Sequence, residues 1–159
     1  MTINTTLLIN ASRTGDLEAL TKLILSETDI NSRDAQGYTP LIIACYNHQF
    51  KAAQMLLDAG AEVDFADFAG STPLMGASFK GYTDIVELLL KNGANIDKQH
   101  SSGATALMFA AMVGKNDVIS LLLKHGADIN VLDGRGLSAF DLAAQQGNED
   151  AIELLEQFV

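Results

Sequence analysis

The side chains best suited to chemistry in this chain are its single cysteine, Cys45, and its three histidines, His48, His100 and His125. Cysteine and histidine are common zinc ligands, and a neighbouring histidine can activate a cysteine as a nucleophile. The histidines, however, fall at different positions of a 33-residue repeat that runs through the chain, so we do not expect them to converge with Cys45 on an ion. The short spacing from Cys45 to His48 is not a catalytic arrangement by itself. We predict a packed Cys45 and no metal site.

Other kinds of catalytic chemistry find no support in the sequence. The chain has 20 acidic residues, but no pattern places two of them in a shielded cleft, as acid–base catalysis requires. Its glycines form neither a G-x-G-x-x-G motif nor a P-loop. We therefore predict that the protein is not an enzyme and binds no cofactor.

The glycines mark an internal repeat instead. Gly37, Gly70, Gly103 and Gly136 stand 33 residues apart, in the stretches DAQGYTPLIIA, DFAGSTPLMGA, HSSGATALMFA and DGRGLSAFDLA. A second series with the same step begins GAEVD, GANID and GADIN. Self-similarity at this period predicts a solenoid, in which each unit buries its apolar face against its neighbours.

The unit spanning residues 67–99 shows which elements one repeat supplies. Gly70 can take the positive φ of a tight turn, and Thr72-Pro73 is suited to start a first helix. Gly81 is placed to end that helix in a left-handed conformation. A second helix from about Thr83 carries a wide apolar stripe, IVELLL, that predicts burial on one side.

These motifs resemble the ankyrin repeat, which has 33 residues and the signature T-P-L-H-x-A. The signature is matched by TPLIIA at Thr39 and TPLMGA at Thr72, and more weakly by TALMFA at Thr105 and SAFDLA at Ser138. The resemblance implies an all-α fold, an ankyrin-repeat solenoid of five stacked helix-turn-helix units with short β-turn or hairpin connections. It also implies a single ankyrin-repeat domain over 1–159, with an N-terminal cap at 1–33, repeats at 34–66, 67–99 and 100–132, and a C-terminal cap at 133–159.

Three departures from the family pattern concern local detail. The family's histidine after T-P-L is replaced by Ile42, Met75, Met108 and Asp141. His48 occupies the position that glycine holds in the other repeats, where a left-handed conformation is expected at a cost to any residue with a Cβ. His100 replaces the aspartate that begins the other turns.

Composition limits the location and the kind of partner. The formal net charge is −10, without a local cluster of Lys or Arg, which argues against binding nucleic acid. The first residues have no signal-peptide character, and the apolar runs are too short to cross a bilayer, so we expect no membrane association. A lone cysteine is typical of a reducing compartment. We predict a soluble, cytoplasmic protein.

If the ankyrin resemblance holds, the turn tips and the exposed sides of the first helices form one concave surface. Large apolar residues on this surface are candidates for contacts with a partner, because tyrosine and phenylalanine give large contact areas at low entropic cost. The predicted protein-binding residues are Tyr38, Tyr46, Phe68, Phe79, Lys80, Met112, Val113 and Arg135. Some of the apolar ones could instead fold back between repeats, a question left open for Val113 and for the bordering Leu132.

The sequence therefore favours a non-catalytic protein–protein interaction module that binds another protein through its concave face. Such a module could act as a stoichiometric regulator, a stabiliser or an adaptor, and we expect it to be monomeric on its own. The alternative is a self-associating structural building block, whose exposed apolar strip drives oligomerisation. An enzyme or a small-molecule binder would need a closed pocket that the sequence does not supply.

Overall fold

The structure is a computed structural model that describes residues 2–159. Within that range the chain forms ten α-helices and no β-strand, and the helices follow one another in pairs. The helices are α1 (Ile3–Thr14), α2 (Leu17–Leu25), α3 (Pro40–Tyr46), α4 (Phe50–Asp58), α5 (Pro73–Lys80), α6 (Thr83–Lys91), α7 (Ala106–Met112), α8 (Asn116–Lys124), α9 (Ala139–Gln145) and α10 (Glu149–Glu156).

The helices group into two compact units, one that extends to Pro73 and one that comprises Leu74–Val159. In the first unit α1 packs on α3 and α2 packs on α4. In the second unit α7 packs on α9, and α8 packs on both α6 and α10. Equivalent helices of successive repeats thus lie side by side, and the predicted all-α repeat solenoid is confirmed. The single domain over residues 1–159 stays a prediction.

The first helices begin where the threonine and serine caps predict. The Thr39 hydroxyl accepts a hydrogen bond from the Ile42 N–H at 3.2 Å, and Pro40 occupies the first helical position. In the last repeat Ser138 and Asp141 form a reciprocal capping box, with Ser138 N–H donating to Asp141 Oδ2 at 2.8 Å. Asp141, which stands where the family has histidine, therefore stabilises the start of α9 itself.

The junction between the two helices of a repeat is left-handed, as predicted. Gly81 has a φ of 83°, and Gly15, Gly114 and Gly147 also have positive φ values. His48 has a φ of 57° at the same position, so the register inferred from the 33-residue step is confirmed there. In the first repeat, alignment with the later repeats predicts helices near 5–14 and 16–26, and the structure has them at 3–14 and 17–25.

The core is built from side chains that recur at the repeat period. Leu41, Leu74 and Leu107 on the first helices are each 1% exposed, and burying a leucine contributes about 1.5–3 kcal/mol. Alanines with no exposed surface recur on the same helices, where the absence of a larger side chain allows close helix approach; they are Ala44, Ala77, Ala110 and Ala143.

The turn glycines differ in what surrounds them. Gly103 has a φ of 81°, and a Cβ built there would lie 2.8 Å from the backbone nitrogen of Gly134 in the next turn. That same nitrogen donates to the Ser102 carbonyl at 2.7 Å, so two successive turns touch through their backbones. Gly136 has a φ of 77° at the equivalent position, but a Cβ there would meet no atom within 4 Å.

This contrast gives a prediction for Gly103→Ala and Gly136→Ala. Both alanines meet the left-handed penalty of about 1–2 kcal/mol, partly offset by the lower entropy of the unfolded chain. Gly103→Ala also forces the two turn backbones apart, so we expect it to lower the free energy of unfolding by at least about 1 kcal/mol more than Gly136→Ala. Urea unfolding of the two variants measures the difference. Equal losses would show that the turns do not depend on close backbone contact.

Candidate protein-binding surface

The turn tip of the second repeat is organised by one carboxylate. Asp34 Oδ1 accepts hydrogen bonds from the N–H groups of Gln36 at 3.0 Å and Tyr38 at 2.9 Å. The backbone closes the same turn, since the Asp34 N–H donates to the Tyr38 carbonyl at 3.1 Å. Aspartate side chains in turns commonly accept hydrogen bonds from the backbone in this way. Tyr38, which is 37% exposed, is therefore presented on a fixed backbone.

The tip of the third repeat has the same construction and carries the most exposed aromatic ring. Asp67 Oδ1 accepts from the N–H groups of Ala69 at 2.9 Å and Ser71 at 2.8 Å. Phe68, immediately after Asp67, is 69% exposed. A phenylalanine so open to water contributes little to folding, which makes it informative about function.

Phe68 is nevertheless held in place from two sides. The Arg33 guanidinium carbon lies 5.5 Å from the centre of the Phe68 ring and 3.8 Å from that of Phe65, both within the range of cation–π contacts. Arg33 is itself anchored, because its Nη2 donates to the Ala66 carbonyl at 2.7 Å. Gly37 of the preceding turn completes the support, since a Cβ built there would lie 2.7 Å from the ring. Sequence reasoning placed Phe68 on the surface but missed Arg33 as its support.

The remaining candidate of the first unit lies at the end of a helix. Tyr46 is the last residue of α3 and is 45% exposed, whereas its neighbour Cys45 is fully buried. Burial raises the pKa of the Cys45 thiol, because an apolar surrounding disfavours the thiolate. The side chain at position 45 is thus suited to packing, while the one at position 46 reaches solvent.

In the second unit the candidates divide between exposed and half-buried side chains. Phe79 is 38% exposed and Met112 is 36% exposed, both near the ends of first helices. Val113 and Lys80 are half-buried, so these two positions offer less of their side chains to a partner. Leu132, which borders the predicted surface, is 53% exposed and is not folded back into the core.

Arg135 lies in the turn of the last repeat and is tied to its own aspartate. Its Nη2 and Nε donate to Asp133 Oδ2 at 2.8 and 3.0 Å, while Asp133 Oδ1 accepts from the N–H groups of Arg135 and Leu137. The Arg135 side chain keeps 64% of its surface exposed, and that of Asp133 only 5%. Arg135 therefore presents a charged group whose direction is fixed by two charge-assisted hydrogen bonds to one carboxylate oxygen.

The fourth turn keeps this geometry with a different residue. His100 Nδ1 accepts a hydrogen bond from the Ser102 N–H at 3.1 Å and lies 2.9 Å from the Ser102 hydroxyl. The ring also meets the Phe109 ring edge-on, with 5.6 Å between their centres. An imidazole nitrogen thus takes the place of the carboxylate oxygen of the other turns. The sequence shows that histidine replaces aspartate at position 100, but not that this histidine would still accept the turn hydrogen bond.

Two further observations bear on what this surface can do. Among residues 2–159 no group of three or more His, Cys, Asp or Glu side chains is placed so that it could hold a metal ion. Over the same residues, no helix combines the length and the apolar character that a membrane span needs.

A family model described as ankyrin repeats, in three copies, matches residues 7–100 and 92–157. A search of curated proteins found no match. With nearly the whole chain covered and the repeated helix pairs in place, this protein belongs to the ankyrin repeat family. Members of that family are generally protein–protein interaction modules and are typically not enzymes. The eight predicted binding residues stay a prediction.

The carboxylate of Asp133, in the last turn, predicts how the stability of the fold depends on pH. Hydrogen bonds from Leu137 and Arg135 lower the pKa of Asp133 below its usual value. A group whose pKa is lower in the folded chain stabilises the fold above its unfolded pKa of about 3.9, and this contribution is lost as the pH falls through the folded pKa. Asp133→Ala should therefore lower stability at pH 7 and reduce the further loss of stability below about pH 5.

Asp133→Asn is the matched control, since its amide oxygen can still accept the two turn hydrogen bonds while the charge is absent. Urea unfolding of both variants at neutral and acidic pH measures the effect. The asparagine variant should retain more neutral-pH stability than the alanine variant, and both should show the weaker acid dependence. An acid dependence like that of the unmodified chain in both variants would contradict the role given to Asp133.

Proposed function

We propose that this protein is a non-catalytic module that binds another protein through its turn tips and the exposed sides of its first helices. Phe68 carries the proposal, because its ring is mostly in water and yet held by Arg33 and Gly37. An exposed ring fixed before binding loses little conformational entropy when a partner covers it, which favours affinity. Phenylalanine and tyrosine rings in such positions are frequent anchors of interfaces.

Other exposed side chains support the same use. Tyr38 and Tyr46 accompany Phe68 in the first unit, and Phe79 and Met112 are exposed at comparable places of the repeat in the second. We take the predicted concave face, which also includes Lys80, Val113 and Arg135, as the binding surface. The core residues beneath it are small or aliphatic, so the surface can vary without loss of the fold.

The charge of the chain limits the partner. A net charge of −10 disfavours nucleic acid and other strongly acidic surfaces, and it attracts basic ones. We therefore propose a folded protein partner with an apolar pocket for Phe68 in a neutral or basic surround. We further propose that the chain is a single domain that acts in the cytoplasm as a regulator, a stabiliser or an adaptor.

Phe68→Ala tests the proposal. The ring makes few buried contacts, so the melting temperature should stay close to that of the unmodified chain, while the affinity for the partner should fall by more than about 2 kcal/mol. Leu25→Ala is the control, because Leu25 is 78% exposed but is the last residue of a second helix, and so belongs to neither a turn nor a first helix. Partner capture followed by titration calorimetry measures both. Equal affinities of the two variants would refute the role given to Phe68.

A further inference from the structure

Arg33, Phe65 and Phe68 form a cluster that the repeat pattern does not explain. The places that these three residues occupy are filled by other residue types in the other repeats. Those residues are Ala66, Gln99 and Leu132 for Arg33, Ser32, Lys98 and Val131 for Phe65, and Ala35, Ser101 and Gly134 for Phe68. The fold as such therefore requires neither the two rings nor the charge between them.

The contact that Arg33 makes with the next repeat does not need a charge either. Arg33 Nη2 donates to the Ala66 carbonyl at 2.7 Å. Gln99, at the same place two repeats later, has its Nε2 3.4 Å from the Leu132 carbonyl, and that atom also donates to the Gly103 carbonyl at 2.8 Å. Because an uncharged amide makes the same link there, the link does not account for the positive charge of Arg33.

That charge has no counterion of its own. No Asp or Glu side chain among residues 2–159 forms an ion pair with Arg33. In the two adjoining turns, Asp34 Oδ1 and Asp67 Oδ1 accept hydrogen bonds from the backbone of their own turns. Arg135, by contrast, lies 2.8 Å from Asp133. In a chain with a net charge of −10, an arginine without a carboxylate is available to a carboxylate of another molecule.

The guanidinium is also oriented before any partner arrives. It stacks over Phe65 at 3.8 Å, and its Nε is buried without a hydrogen-bond partner among residues 2–159. Its Nη1 makes no hydrogen bond within that range and is not one of the buried atoms, so Nη1 faces water. A guanidinium that is already stacked and anchored loses little conformational freedom when it binds a carboxylate.

These observations define the chemistry of the occupant. Phe68, which is 69% exposed at a turn tip, suits a concave apolar pocket on a folded protein rather than a chain end. A carboxylate at the rim of such a pocket would lie against Arg33. A phosphate group or a run of acidic residues fits less well, because the net charge of −10 repels groups that carry several negative charges.

We propose that Arg33 determines specificity by donating, through Nη1, to one Asp or Glu side chain of the partner, while Phe68 enters the apolar pocket beside it. This contact rests on the proposed function and adds the chemistry that selects the partner. Phe65 is a positioning residue, since it holds the guanidinium from the side of the protein. One carboxylate at the rim agrees with a surround that is otherwise neutral or basic.

Arg33→Gln is the variant that tests the contact. It removes the charge, and Gln99 shows that glutamine can make the link to the next repeat, so the melting temperature should stay close to that of the unmodified chain. Lys22→Gln is the matched control, because it removes one positive charge from an exposed residue of a second helix. Circular dichroism and thermal melts check that both variants are folded.

The first measurement needs no natural partner. The probe is 3-phenylpropionate, in which a short chain joins a carboxylate to an apolar ring, and its neutral counterpart is 3-phenylpropanamide. In NMR titrations the acid should shift the Arg33 side-chain N–H and Phe68 ring signals. It should also bind at least about threefold more tightly than the amide, as expected for a partly exposed ion pair. Lys22→Gln should keep this preference and Arg33→Gln should lose it.

Equal affinities of acid and amide for the unmodified chain would overturn the proposal, and this comparison does not depend on any variant. A titration in which neither probe shifts the Arg33 signals would overturn it as well. So would a preference for the acid that persists in a folded Arg33→Gln variant.

The second measurement uses the partner captured by the unmodified chain and titration calorimetry. Arg33→Gln should weaken the complex at least about tenfold, whereas Lys22→Gln should change it little. One Asp→Asn or Glu→Gln replacement in the partner should weaken it by the same factor, and should have no further effect on the Arg33→Gln variant.

The same titrations distinguish failure of this contact from failure of the proposed function. An affinity that falls with Phe68→Ala but not with Arg33→Gln would refute the carboxylate contact and leave protein binding through Phe68 in place. An affinity that neither variant changes would refute both.

Discussion

The structure depends on one constraint, that no repeat can bury its apolar side alone. Within each unit the helices of one repeat cover those of the next, and polar contacts fix the register. Arg33 donates to the Ala66 carbonyl, 33 residues along the chain, and Gln99 Nε2 lies 3.4 Å from the Leu132 carbonyl at the same spacing. Asp97 Oδ1 accepts from the Asp128 N–H in a similar link. Stability in such an array is close to a sum over neighbouring pairs.

The same constraint explains how the proposed binding surface can be separate from the core. The turns are closed by their own aspartates, as Asp34 and Asp67 show, so their order does not require burial of the residues beside them. Phe68 and Tyr38 can therefore face water on a backbone that is already fixed. Affinity then depends on side chains whose replacement has little effect on folding, which is how a shared fold acquires different partners.

Sequence reasoning reached the fold because its signals are local and repeated. The helix starts at Thr39 and Ser138 follow from capping chemistry, and the left-handed conformation of His48 follows from its alignment with glycines. The support of Phe68 by Arg33 was not predictable, since it joins side chains of different repeats whose directions depend on packing. The degree of exposure of Val113 was likewise left open, because half-burial is set by its neighbours rather than by its own type.

Deletion of one whole repeat tests the central claim that stacking in register holds this protein together. A chain without residues 100–132 loses one repeat but keeps the 33-residue step, whereas a chain without residues 100–116 loses only about half a repeat. We expect the first to keep its helix content per residue and a cooperative urea transition at lower stability, and the second to lose the cooperative transition. The opposite order, or equal tolerance of both deletions, would contradict the account.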